Sequence, residues 1–290
     1  MRGAASARGA GEELWEKEMR LRTLALIVGV LASASAFAQT PDVIGGSLET
    51  HAVSRGLGRE VAAITEKLSQ PAWIGYAVKT QARDSDGCWS GDGRSVSRPL
   101  KSVKLEGSDG LFVLLRVAER QVERIKIASS ECPLDAGGLT VHWLTGVTSA
   151  ESLDYLATFT SGGAARRLAN SAIVAMALHA DPAAIDRLIA LARTGSDARV
   201  RSDALFWIGQ RAGDRAAGAI TDALDRDPDT EVKKKAVFAL SQLPKDEGVL
   251  KLIDVARNNR NAVVRKQAMF WLGQSNDSRA VKFFEDVLLK

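Results

Sequence analysis

Catalytic side chains are scarce in this chain. Its 290 residues include three histidines, two cysteines and two tyrosines. It has no Gly-x-Ser-x-Gly elbow, no phosphate-binding loop ending in Gly-Lys-Ser/Thr and no Cys-x-x-Cys pair. The commonest local signatures of acyl transfer, nucleotide hydrolysis and dithiol chemistry are therefore missing. Strong charge of one sign is lacking too. The formal net charge is +4 from 39 Lys+Arg against 35 Asp+Glu, too weak a bias to imply a nucleic-acid partner. With 46% apolar and 26% charged residues, the chain has the composition of an ordinary globular protein with a core of its own.

A long hydrophobic span is also absent. The apolar run Leu24–Ala38 falls short of the about 20 residues a transmembrane helix needs. It follows the basic cluster Met19-Arg20-Leu21-Arg22 and ends in Ala36-Phe37-Ala38, the order of a secretory signal with cleavage after Ala38. Residues 1–38 therefore read as a leader, with the signal over about 19–38 and a periplasmic or secreted product. No stable span is expected after cleavage. Residues 1–18 carry Glu12, Glu13, Glu16 and Glu18, unusual in a signal, and read as an over-extended gene start. Export would place Cys88 and Cys132 in an oxidising compartment, where an even count favours one disulfide.

A period of 32 residues organises the second half. Four segments align without gaps, with Leu168/Ala172/Met176, Val200/Ala204/Ile208, Val232/Ala236/Leu240 and Val264/Ala268/Leu272 in matching columns. Each is followed by a second apolar helix pattern: Leu188/Leu191, Ile220/Leu224, Leu252/Val255, and Phe284/Val287 with Leu288. Asp197, Asp229 and Asn261 stand three residues before the Val of their helices, where a side-chain oxygen can cap free N–H groups. The expected fold is mainly α: a short α-solenoid of about four helix pairs over 161–290, preceded by a small α+β domain over 39–160.

The Asp-x-x-Val-Arg/Lys-x-x-Ala pattern, closed by Gly209, Ser241 or Gly273, resembles HEAT repeats of the PBS-lyase HEAT-like type over about residues 164–290. That resemblance implies a ladder between repeats from Asp197/Arg201, Asp229/Lys233 and Asn261/Arg265. It also brings in phycobilin lyases and di-iron hydroxylases. The hydroxylases need His-Glu pairs on successive helices; His51, His142 and His179 each lack a following Glu. No cofactor or metal is expected. His142 beside Trp143 reads as a packed or solvent-facing strand residue. Asp84-x-Asp86-Gly87 lacks the terminal Glu of a calcium loop and reads as a polar loop pinned by Cys88.

Partner-binding candidates come from columns that face away from the core. Phe206, Phe238 and Phe270 recur at the repeat period nearly opposite the Val/Ala stripe, with Lys234 and Lys266 nearby. Phe283 replaces polar residues of earlier repeats, so Phe283, Phe284 and Leu289 are expected to dock the last repeat or self-associate. Residues 161–290 carry 21 basic and 16 acidic residues, whereas 39–160 carry 13 and 15. In the first half, Ser47–Ser69 shows helical spacing at Leu57, Val61, Ile64 and Leu68. Strands are expected at Trp73–Thr80, Leu111–Ala118, Val122–Ser129 and Leu139–Thr145, then a helix from Ser149. The expected function is a protein-interaction scaffold in the cell envelope. The alternative is an enzyme or enzyme subunit of lyase or oxidoreductase type, with a site in the N-terminal domain or the interdomain cleft.

Overall fold

The structure is a computed structural model. It describes residues 39–80, 110–161, 165–211 and 215–289, together with the backbone of 88–89 and 95–96. The leader expected over 1–38 and the acidic loop with Asp84 and Asp86 lie outside the described residues.

A five-stranded mixed sheet opens the chain. Its strands are β2 (Ser47–Ala52), β3 (Ala72–Lys79), β6 (Gly110–Ala118), β7 (Gln121–Ser129) and β9 (Thr140–Thr145), in the order β2-β9-β3-β6-β7. β9 runs parallel to both β2 and β3, while β3–β6 and β6–β7 are antiparallel. Helix α1 (Leu57–Lys67) joins β2 to β3, the crossover that two strands of the same direction require. The four strands from 72 to 145 fall where apolar alternation predicts them. The helical reading of Ser47–Ser69 needs correction, because Ser47–Ala52 is the edge strand β2 and the helix starts only at Leu57.

Strand alternation splits the sheet into two apolar faces. Trp73, Phe112, Leu114, Val141 and Trp143 form one, packed under Leu134 and Ala136. Those two residues flank or belong to β8 (Leu134–Asp135), which pairs with β1 (Val43–Ile44). The indole of Trp143 lies over Gly75, where an added Cβ would sit 2.8 Å from the ring. The other face, with Ile74, Tyr76, Val113, Leu115 and Leu144, packs against helices. α2 (Ser149–Ala157) begins there with a capping box between Thr148 and Glu151. The short pair β4 (Cys88–Trp89) and β5 (Ser95–Val96) is described in backbone only. Cys132 is buried, and the side chain of Cys88 lies outside the described residues.

Eight helices follow among the described residues. The first of each pair are α3 (Arg166–Leu178), α5 (Ala198–Arg211), α7 (Thr230–Ser241) and α9 (Ala262–Gln274). The second are α4 (Ala183–Thr194), α6 (Ala216–Arg226), α8 (Lys245–Asn258) and α10 (Ser278–Leu288). Caps set the starts: Asp229 accepts from the N–H groups of Glu231 and Val232, and Asn261 from that of Val263. Asp197 accepts from the Arg199 N–H at 2.7 Å. The Val/Ala/Leu columns read from sequence are buried in every pair. Each first helix packs directly on the next. No helix among the described residues is long and apolar enough to cross a membrane.

Ala36–Lys290 is one compact unit, and a single apolar cluster runs from Leu57 to Phe283 across the 160/161 position. A buried polar chain also crosses it. The Tyr76 hydroxyl on β3 and the Ser152 hydroxyl on α2 are 3.0 Å apart, and Ser152 Oγ lies 2.9 Å from His179 Nε2. His179 Nδ1 faces the Ala175 carbonyl at 2.7 Å. Burial lowers the His179 pKa, partly opposed by that carbonyl and by Asp181. The imidazole is thus held neutral, with Nδ1–H donating to Ala175.

Candidate functional site

The expected Phe column assembles into a continuous set of rings along the first helices. Phe206 on α5 and Phe238 on α7 stack with centroids 5.5 Å apart and planes 5° from parallel. Phe238 meets Trp271 on α9 at 5.1 Å, and Phe270 meets Trp271 at the same distance. Phe206 and Phe238 are half-buried by this stacking, whereas Phe270 is 54% exposed. Rings in such offset and edge-on arrangements add about 0.5–1.5 kcal/mol per pair beyond area burial.

The neighbours of these rings differ from those expected. Lys234 turns to Glu231 on its own helix at 2.9 Å, and Lys266 is exposed. Lys235 instead places its ammonium 5.8 Å from the Phe206 centroid and 5.9 Å from that of Phe238. Four residues beyond each Phe stand Gln210, Gln242 and Gln274, on the same helix face. Gln210 donates to Gln242 across the repeats at 3.1 Å. Gln242, Trp271 and Gln274 help line a cavity of about 220 Å³ with Ser241, Lys245 and Ser275. The buried Trp271 indole N–H finds no acceptor among the described residues. The Gln column is legible in the sequence at the repeat period, whereas the contacts of Lys235 and Trp271 depend on how the helices pack.

The proposed end-docking residues separate. Phe283 is 2% exposed, in the core beneath the guanidinium of Arg257, and its ring meets Phe284 at 5.3 Å. Phe284 is half-buried, and Leu289 is 87% exposed. Helix α10 turns Ala280 and Phe283 inward, which leaves Val287 and Leu288 outside. The second-helix pattern expected from Phe284, Val287 and Leu288 is therefore rotated. Phe283 is not available for docking because it fills the space between α8 and α10.

The ladder residues also close differently. Arg201 makes a two-pronged contact with Asp227, at 2.7 and 3.1 Å, and donates to the Gly195 carbonyl at 2.8 Å. Burial opposes the charge on Asp227, but the Arg201 hydrogen bonds, the Asp229 N–H and the Arg201 and Lys233 charges together outweigh it and lower the Asp227 pKa. Asp197, Asp229 and Asn261 are occupied as caps. Lys233 reaches the Asp225 carbonyl, and Arg265 those of Asn259 and Arg260. Asn261 also reaches the preceding repeat, donating to Thr230 Oγ1 at 3.0 Å.

Two groupings bear on the enzymatic alternative. The Ser152–His179 pair has nucleophile–base spacing, but Ser152 is 0% and His179 2% exposed, so no substrate reaches them. The second grouping escaped the sequence reading. Glu49 and His51 on β2 converge with His142 on β9, through the register that sets Glu49 opposite His142. His51 Nε2 lies 3.1 Å from His142 Nδ1. Glu49 Oε2 lies 3.3 Å from His142 Nδ1 and 4.0 Å from His51 Nε2. Burial lowers the His142 pKa; the Glu49 charge opposes this, and His51 adds to it.

Residues 217–290, from α6 to the end, match the family model of HEAT repeats. No curated protein matches the chain. That segment is similar to HEAT repeats, a class of fold commonly used to hold other proteins.

Proposed function

We propose that the protein is an exported HEAT-type scaffold that binds a partner protein across the first-helix face bearing Phe206, Phe238 and Phe270. In this reading residues 161–290 form a solenoid of four helix pairs with a 32-residue period, of the PBS-lyase HEAT-like variety. The starts of the four first helices at Arg166, Ala198, Thr230 and Ala262 support that period. Export is supported by the charge, apolar run and small-residue site of residues 19–38. A Cys88–Cys132 bridge would fit an oxidising compartment, since these are the chain's two cysteines.

The observation that carries the binding role is the ring array and its polar border. Aromatic anchors beside adaptable amides and a cation are the residue types concentrated at protein interfaces. The test compares retention of the native partner by wild type and by a Phe270→Ser/Lys235→Glu variant, both altered at the surface. At least a tenfold loss of affinity is expected, the scale of a modest hot spot. Unchanged affinity would remove this face from consideration.

A further inference from the structure

We infer that Glu49, His51 and His142 form a binding site for a divalent transition-metal ion of the zinc type. The three side chains come from two strands that the sequence separates by 91 residues and that parallel pairing places side by side. Glu49 and His51, two apart on β2, share one face of the sheet, and the register brings His142 to that face from β9.

The distances are those of a ligand set. The His51 Nε2, His142 Nδ1 and Glu49 Oε2 atoms form a triangle with sides of 3.1, 3.3 and 4.0 Å. Tetrahedral ligands at zinc bond lengths stand about 3.3 Å apart. A proton does not satisfy this arrangement equally well. His142 Nδ1 faces both the other imidazole and the carboxylate, and one proton bridges only two of the three atoms. A cation at the centre serves all three lone pairs at once.

Exposure grades across the set in the sense a metal needs. The His142 side chain is 11% exposed, His51 36% and Glu49 57%. His142 is set back and the Glu49 carboxylate stands at the rim. Two nitrogens and one carboxylate suit zinc and its neighbours, whereas calcium and magnesium take mainly oxygen. Binding would clip the edge strand β2 to the inner strand β9, so metal would also raise the unfolding midpoint.

The test uses the full chain without a histidine tag, stripped with chelator and titrated with ZnCl2 by calorimetry. Co2+ absorption reports the coordination, and Mg2+ and Ca2+ serve as comparison ions. One Zn2+ per chain is expected, with a four-coordinate Co2+ spectrum and no competition from a hundredfold excess of Mg2+ or Ca2+. Glu49→Gln, His51→Gln and His142→Gln should each weaken Zn2+ binding at least tenfold, with circular dichroism unchanged. Glu49→Gln and His51→Gln lie on the exposed edge, so the test survives a folding defect in His142→Gln. Asp84→Asn/Asp86→Asn should bind as wild type does. Zinc binding that persists in the folded Glu49 and His51 variants, or is lost in the Asp84/Asp86 variant, overturns the site. So does a wild-type chain that takes up no zinc.

Discussion

Glu119 and Arg120 hold the two-residue turn between β6 and β7 at φ of 49° and 58°. Left-handed backbone costs a residue with a Cβ about 1 kcal/mol or more, and Asn-Gly is the pair that suits such a turn. Glu119→Asn/Arg120→Gly is expected to stabilise the fold by about 1 kcal/mol, read as a higher urea midpoint with unchanged slope. His179 sets a pH dependence. Its folded pKa lies below the about 6.5 of an unfolded histidine, so the unfolded chain binds the proton more readily. The contribution is complete above about pH 6.5 and is lost as pH falls towards the folded pKa. Denaturation midpoints should therefore drop between about pH 7.5 and about pH 5. That drop should shrink in His179→Gln, and an identical slope would assign the effect elsewhere. At this scale the sequence was read unevenly. Asp229 and Asn261 were recognisable as caps because a cap acts within one turn of its own residue. The Glu49/His51/His142 set was not, since nothing local couples positions that only sheet pairing unites.

Helix α5 lies tight against α7 at Gly209, where an added Cβ would meet Ala239 Cα at 2.9 Å and its Cβ at 3.0 Å. Gly273 holds the same column of α9, where an added Cβ would meet nothing within 4 Å from other elements among the described residues. Gly209→Ala is expected to destabilise by about 1–3 kcal/mol through overpacking. Gly273→Ala should be neutral or stabilising by up to about 1 kcal/mol through helix propensity. Thermal melts of the two variants check the pair, and equal shifts would contradict the packing described. The helices of the second half were legible because period, core columns and caps coincide. Strand β2 was not, because its burial is almost wholly exposed and its apolar content is too thin for an alternation signal. The helical spacing of Leu57, Val61, Ile64 and Leu68 then pulled the whole segment towards helix. The inward turn of Phe283 escaped for a related reason: α10 carries apolar residues on more than one side, and packing against α8 selects among them.

Across the molecule, one apolar cluster joins the sheet to the helix pairs, and the Tyr76–Ser152–His179 chain pins them with buried polar contacts. The sheet half thus supplies a firm base for α3, and successive first helices present their rings in register from it. Residues 161–290 carry a net charge of +5, against −2 for 39–160, from the counts of basic and acidic residues in each. Lys235 puts part of that positive charge directly on the ring face, which suits a partner with acidic residues around an apolar or aromatic patch. Exposed ion pairs between second helices, such as Arg193–Asp222 at 2.7 Å and Arg257–Asp286 at 3.3 Å, occupy the other side. Each contributes about 1 kcal/mol or less, and together they leave that surface charged and mixed. The proposed function places binding on the first-helix face. The most direct measurement places a photo-crosslinking residue at Phe270 in one protein and at Leu250 in another, the latter 54% exposed on the second helix α8. The account predicts partner crosslinks from position 270 and none from position 250; crosslinks from position 250 alone, or equally from both, would contradict it.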